Sequence, residues 1–169
     1  VVKSLGELLR DQVVSRARSA IGHETPYMLG HGGRDPLSTL PGDPECDCSG
    51  FVAWALGVDR YLPNGVIPHL PGGDWLETSN VYRDALSSYG FAALLPWGEA
   101  KPADVLVYPD REGHHGHIGL VSKANGFGAE LVIHCSLGNW NERRDAIQET
   151  DTRVFQRHGA VAARIAWVR

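Results

Sequence analysis

Cys48 opens the run Cys48-Ser49-Gly50-Phe51-Val52-Ala53-Trp54-Ala55-Leu56, directly behind Asp47. Phe51, Val52, Ala55 and Leu56 recur at helical spacing, and Gly57 stops the pattern. A thiol at the entrance of a helix faces unpaired N–H groups and a partial positive charge, which favour thiolate over thiol. Nucleophilic chemistry at such a thiol also needs an imidazole within hydrogen-bond reach and a third group to orient it. His117, in Gly116-His117-Ile118-Gly119-Leu120-Val121, and His134, in Leu131-Val132-Ile133-His134-Cys135-Ser136, supply both. Neighbouring strands lie about 5 Å apart, so His134 can bond the outer nitrogen of His117 if the two segments pair. The inner nitrogen is then free to act as base. The expected chemistry is that of a cysteine hydrolase.

Other reactive side chains compete for these roles. His115 shares a strand face with His117 by alternation and is the rival base. The cluster His114-His115-Gly116-His117 invites a metal, yet Cys46 and Cys48 are spaced by one residue rather than the usual two. The expectation is no metal and no cofactor. Alternation sets Cys135 on the opposite sheet face from His134, which makes Cys135 and Cys46 bystanders. Asp104 suits a structural hydrogen bond before a strand. The charge run Glu142-Arg143-Arg144-Asp145 reads as solvated surface.

The elements that must position these groups are legible from periodicity. Leu5, Leu8, Leu9, Val13, Ala17 and Ile21 predict an amphipathic helix, opened by the capping-box pair Ser4 and Glu7 and stopped at Gly22. Residues 23–47 are dense in Gly, Pro and Asp and read as loop. Residues 58–77 form a second such loop, and 78–89 a second amphipathic helix with Val81, Tyr82, Ala85 and Leu86 inward. Strand-like alternation follows at 91–95, 104–108, 117–122, 130–135 and 161–168. Residues 139–159 are ambiguous, with a strand at 146–149 and a helical turn near Val154 as the reading. Helices first and strands second predict an α+β fold, with N-terminal helices packed on a central antiparallel sheet and the nucleophile at a helix N-terminus.

At 169 residues the chain is expected to be one domain, residues 1–169. A net charge of −4, with no basic stripe interleaved with aromatics, argues against nucleic acid as a partner. No stretch approaches the ~18–20 apolar residues of a membrane span. The opening Val1-Val2-Lys3-Ser4 is not a signal peptide. Three cysteines do not make a disulfide scaffold.

Taken in order, Asp47-Cys48-Ser49-Gly50-Phe51-Val52, Pro102-Ala103-Asp104, Gly116-His117-Ile118-Gly119 and Ile133-His134 resemble the NlpC-type bacterial cell-wall cysteine peptidases. Pro26-Tyr27 followed by Gly32-Gly33 resembles that family's upstream Tyr and Gly-Gly element. The resemblance implies a papain-like core and cleavage of peptidoglycan stem peptides between D-glutamate and a diamino acid, through a thioester acyl-enzyme. It makes Cys48 the nucleophile, His117 the base and His134 the third polar residue. Tyr27 would support the oxyanion, and Asp47 and Ser49 would meet the free amine of a short stem peptide. A muropeptide or peptidoglycan partner and a periplasmic, secreted or phage-associated location would follow. An N-acetylmuramoyl-L-alanine amidase and a non-catalytic wall-binding module are the alternatives on the same scaffold. Two departures stand out: Ala103 replaces the usual Gly of a Pro-Gly-Asp turn, and residues 58–100 carry an insertion of loop and helix.

Overall fold

The computed structural model describes residues 3–62, 75–87 and 90–166. The expectations for His69 and the loop around it, for the last residues of the second amphipathic helix and for the end of the final strand lie outside these residues. Helix α1 (Leu5–Ser19) is capped by Ser4, whose side chain accepts from Glu7 N–H while the Glu7 carboxylate takes the Ser4 N–H. Helix α2 (Cys48–Ala55) begins at the cysteine and ends before Gly57, whose φ of 72° is the left-handed stop expected there. Helix α3 spans Thr78–Ser87. Strands β1 (Ala92–Leu95), β2 (Val105–Tyr108), β3 (His117–Asn125) and β4 (Gly128–Cys135) follow. Then come α4 (Leu137–Arg143), β5 (Ile147–Asp151), α5 (Arg153–Arg157) and β6 (Val161–Ile165).

The six strands form one antiparallel sheet in the order β1-β6-β2-β3-β4-β5. Alternation divides its side chains between two clusters. Val105, Val107, Ile118, Leu120, Ile133 and Cys135 meet Phe51, Val52 and Trp54 of α2, with Val14 and Ala17 of α1. Leu106, Tyr108, Val121 and Val132 meet Phe155 of α5 on the other face. The fold is the α+β arrangement expected, with helices packed on a central antiparallel sheet.

Two details differ from the periodicity. Leu5, Leu8 and Leu9 are exposed, whereas the later part of the expected stripe holds: Ala17 is buried, Val13 and Ile21 pack on the core, and Val14 joins them. The helix turns that face inward because Arg10 is drawn to Pro102 O (2.8 Å) and to the Asp104 carboxylate (3.0 Å). Leu86 of α3 is likewise exposed, while Asp84 is buried and accepts the Ala92 N–H at 2.6 Å. Helix α4 was not legible, because its sequence is polar and carries no apolar stripe.

Asp104 is a structural anchor, as its position before a strand suggests. It is buried and accepts from Arg10, Arg164 and the Lys101 N–H. The preceding Ala103 adopts φ 70°, where an L side chain crowds its own carbonyl. That is why the comparable turn ordinarily takes glycine.

Candidate active site

The site assembles where α2 and β3 begin and β4 ends. Asp47 is the N-cap of α2, and its Oδ1 accepts the Gly50 N–H at 2.8 Å. This fixes Cys48 as the first helical residue, with a backbone N–H that has no partner within the helix. Cys48 is 4% exposed and lies in the same buried cluster as Ile118 of β3. The thiol thus belongs to the core layer that includes the strand residue following His117.

On the sheet, the register Leu120↔Ile133 continues to set Gly119 opposite His134, with His117 on the same face two residues away. The rings meet directly: His117 Nε2 and His134 Nδ1 are 2.7 Å apart. Gly119 makes the meeting possible. A Cβ there would stand 2.8 Å from Phe155 Cζ and 3.0 Å from His134 Cβ, in space the rings now fill. Phe155 stacks on His117 with centroids 5.2 Å apart and meets His134 edge-on at 5.6 Å. His134 Nε2 lies 2.9 Å from Thr150 Oγ1 on β5. The two histidines expected to form a pair do so, and the nitrogen of His117 left uncommitted is Nδ1.

His115 is not on the strand. It sits in the loop before β3 with an exposed side chain, so the face it was expected to share with His117 does not exist. Tyr27 is held by the loop's parallel bridge to Cys46. Burial, followed by the nearby Cys48 and Asp47, pushes its phenol above the usual range and keeps it neutral. Tyr27, His117 and His134 share the wall of a cleft of about 460 Å³ that Leu137, Glu142 and Asp151 also line. Among the described residues no group of three His, Cys, Asp or Glu side chains is placed to hold a metal ion.

Asp47 and Ser49 are deeply buried and bonded within the protein. Arg60 Nη2 lies 2.8 Å from both Asp47 Oδ2 and Ser49 Oγ. Its Nη1 donates to His31 O at 3.0 Å and its Nε to Leu76 O at 3.2 Å, while Trp75 covers the guanidinium at 4.4 Å. Gly30 N–H completes the Asp47 shell at 2.7 Å. Gly33 packs so tightly on the helix entrance that a Cβ would lie 2.5 Å from Gly50 O. Arg60 had no signal in the sequence, although a carboxylate buried as an N-cap implies a cation beside it. Thr150 could have been found, since pairing with β4 puts it on the face of His134.

The electrostatics differ from those of an isolated helix entrance. Burial pushes the Cys48 thiol up to about 12, and the Asp47 carboxylate adds to this. The Ile118 N–H, Arg60 and the Ser49 N–H pull the other way and do not prevail. Loss of solvent outweighs the helix field, because it acts on the whole charge while the field is partial. Burial also lowers His134 to about 4 and holds His117 well below 6.5, with His134 and His158 adding to the latter effect. The resting pair is neutral thiol and neutral imidazole.

That has a consequence for stability. Unfolded histidine accepts a proton near pH 6.5, whereas folded His134 refuses it until about pH 4. Between those values the unfolded chain binds more protons, so stability falls as pH is lowered through the window. His134 alone accounts for roughly 3 kcal/mol at the acid end. Urea unfolding at pH 7 and pH 4.5 is expected to show a loss that His134→Gln reduces by most of this amount. Equal pH dependence in the two proteins would contradict it.

The chain has the α+β fold of NlpC-type, papain-like proteins. The structure of NlpC1 from Trichomonas vaginalis matches it with a TM-score of 0.55 at 16% identity, over 98% of this chain and 46% of that one. NlpC2 from the same organism matches with a TM-score of 0.53 at 17% identity, over 98% of this chain and 49% of that one. The chain thus spans about half the length of either, and at these identities the likeness carries the fold rather than an assignment to a bacterial family. No family model and no curated protein sequence matches the chain. No helix among the described residues is long and apolar enough to cross a membrane.

Proposed function

We propose that the protein is a cysteine hydrolase that cleaves peptidoglycan stem peptides at the D-glutamyl–diamino acid bond. The observation that carries the catalytic part is the 2.7 Å pairing of His117 with His134 beside a thiol at a helix entrance. The substrate part rests on the resemblance of the motifs around Cys48 and His117.

In this reading His117 Nδ1 takes the Cys48 proton as the sulfur attacks the substrate carbonyl, because neither group is charged beforehand. The oxyanion that forms is stabilised by the free Cys48 N–H and the neutral Tyr27 hydroxyl. The imidazolium then gives its proton to the leaving amine, and a thioester remains on Cys48. Water, deprotonated by His117, attacks the thioester, releases the acyl product and restores the thiol. Buried Asp47 and Ser49 hold the helix entrance together with Arg60, and an amine would reach them only by displacing that guanidinium.

The test is digestion of purified muropeptides followed by mass spectrometry. Stem fragments ending in D-glutamate are expected. Release of whole stems from the sugar would indicate the amidase instead, and intact substrate with both bonds uncut would sink the hydrolytic reading.

A further inference from the structure

We propose that Thr150 is a positioning residue that selects the catalytic tautomer of the two histidines, through its hydroxyl and the main-chain carbonyl of Asp151. This deepens the cysteine-hydrolase reading and rests on it. At neutral pH both rings are uncharged, so each carries one N–H, and the direction of every hydrogen bond depends on where that proton sits. A shared contact between two imidazoles leaves two arrangements open. In one, His117 donates from Nε2 and its Nδ1 is bare. In the other, His134 donates from Nδ1, and His117 Nδ1 carries the proton. Only the first leaves a base for Cys48.

The third member of the chain decides between them. Thr150 Oγ1 lies 2.9 Å from His134 Nε2 and 3.0 Å from Asp151 O. A carbonyl oxygen only accepts, so the single hydroxyl proton of Thr150 goes to Asp151 O. Toward His134 the hydroxyl must then accept, which puts a proton on His134 Nε2 and leaves Nδ1 bare. His134 Nδ1 in turn accepts from His117 Nε2–H at 2.7 Å, and His117 Nδ1 is left open. The relay runs from a backbone carbonyl on edge strand β5, through β4, to the base on β3. When His117 takes the Cys48 proton, its Nε2–H still donates to His134, so nothing in the relay has to reverse.

Without the hydroxyl, the two tautomeric arrangements approach equal energy, and the bias lost is that of about one net hydrogen bond. Thr150→Val keeps the shape and the strand preference and removes the hydroxyl; Thr150→Ser restores it. We expect Thr150→Val to lower kcat about twofold with little change in KM, since equal energies leave about half of the molecules in the catalytic tautomer, and Thr150→Ser to keep the parent value. The direct readout is nitrogen-15 NMR of the imidazole rings at pH 7.5. The parent and Thr150→Ser should show protonated Nε2 and bare Nδ1 on both histidines, and Thr150→Val a mixture. The rate of Cys48 alkylation by iodoacetamide should fall with the tautomer population.

A parent spectrum with His134 protonated at Nδ1 would overturn the proposal, as would a Thr150→Val protein with unchanged spectrum, alkylation rate and kcat. Failure of the hydrolase reading looks different. Cys48→Ala would then keep full activity, or no bond would be cut, while the NMR and alkylation results still decide the relay. Thermal melting of each variant separates loss of the relay from loss of the fold.

Discussion

Cys48→Ala and His117→Gln are each expected to lower kcat/KM by about 10⁴-fold or more, and the double variant to be no worse than either. In the proposed reaction the thiol bonds to the substrate, and His117, on the strand residue before Ile118, is the base that serves it. Because the thiol is held protonated by burial, it does not ionise in advance of attack. A thiol without its base is as ineffective as a base without its thiol, so the two losses do not add. A factor of 10⁴ corresponds to about 5 kcal/mol of transition-state stabilisation, which one base in a dry site can supply together with the nucleophile. Residual hydrolysis comes from the oxyanion donors and substrate positioning alone. Measurement is by fragment release from muropeptides under single-turnover conditions. Full multiplication of the two single losses in the double variant would mean that they act in separate steps, and full activity of Cys48→Ala would end the reading.

Arg60→Met is expected to destabilise the protein by about 3–5 kcal/mol. Asp47 and Arg60 are both almost fully buried, with side-chain exposures of 1% and 3%. Removing the cation leaves the Asp47 carboxylate in the interior without its charge partner, and leaves Ser49 Oγ and Leu76 O without a donor, while His31 O keeps only the Asp47 N–H. Methionine fills much of the volume, so the cost is electrostatic and polar rather than a cavity. For a chain of this size the midpoint of thermal unfolding should drop by about 10 °C. Removing both charges with Asp47→Asn in the same chain is expected to recover part of the loss, since the buried charge is gone. A change below 1 kcal/mol in Arg60→Met would show that the ion pair merely offsets its own desolvation. Catalysis should suffer in the surviving folded fraction, because the same carboxylate caps the helix that presents Cys48.

Much of the architecture is written in local patterns. The capping box of α1, the α2 entrance at Asp47-Cys48 and the strands around His117 and His134 depend on short-range spacing, and they are where periodicity sets them. The orientation of α1 was not local, because it turns on a hydrogen bond from Arg10 to a carboxylate 94 residues away. The same holds for Arg60. Its meeting with Asp47 spans 13 residues, across α2 and into the Pro/Gly-rich stretch that begins at residue 58, whose path no periodicity describes.

From residue types and order alone came the candidates: a thiol at a helix entrance, two histidines on strands able to pair, and glycines flanking one of them. These follow from chemistry and period, which a chain carries in one dimension. Tertiary structure decided their state. Burial, which depends on everything packed around a group, leaves Cys48 protonated where the helix field alone would favour thiolate. The order of strands places Thr150 behind His134, and so determines which nitrogen of His117 is free. Solvation and hydrogen-bond direction are properties of a packed neighbourhood, and the neighbours of Cys48 and His117 come from segments far apart in the chain.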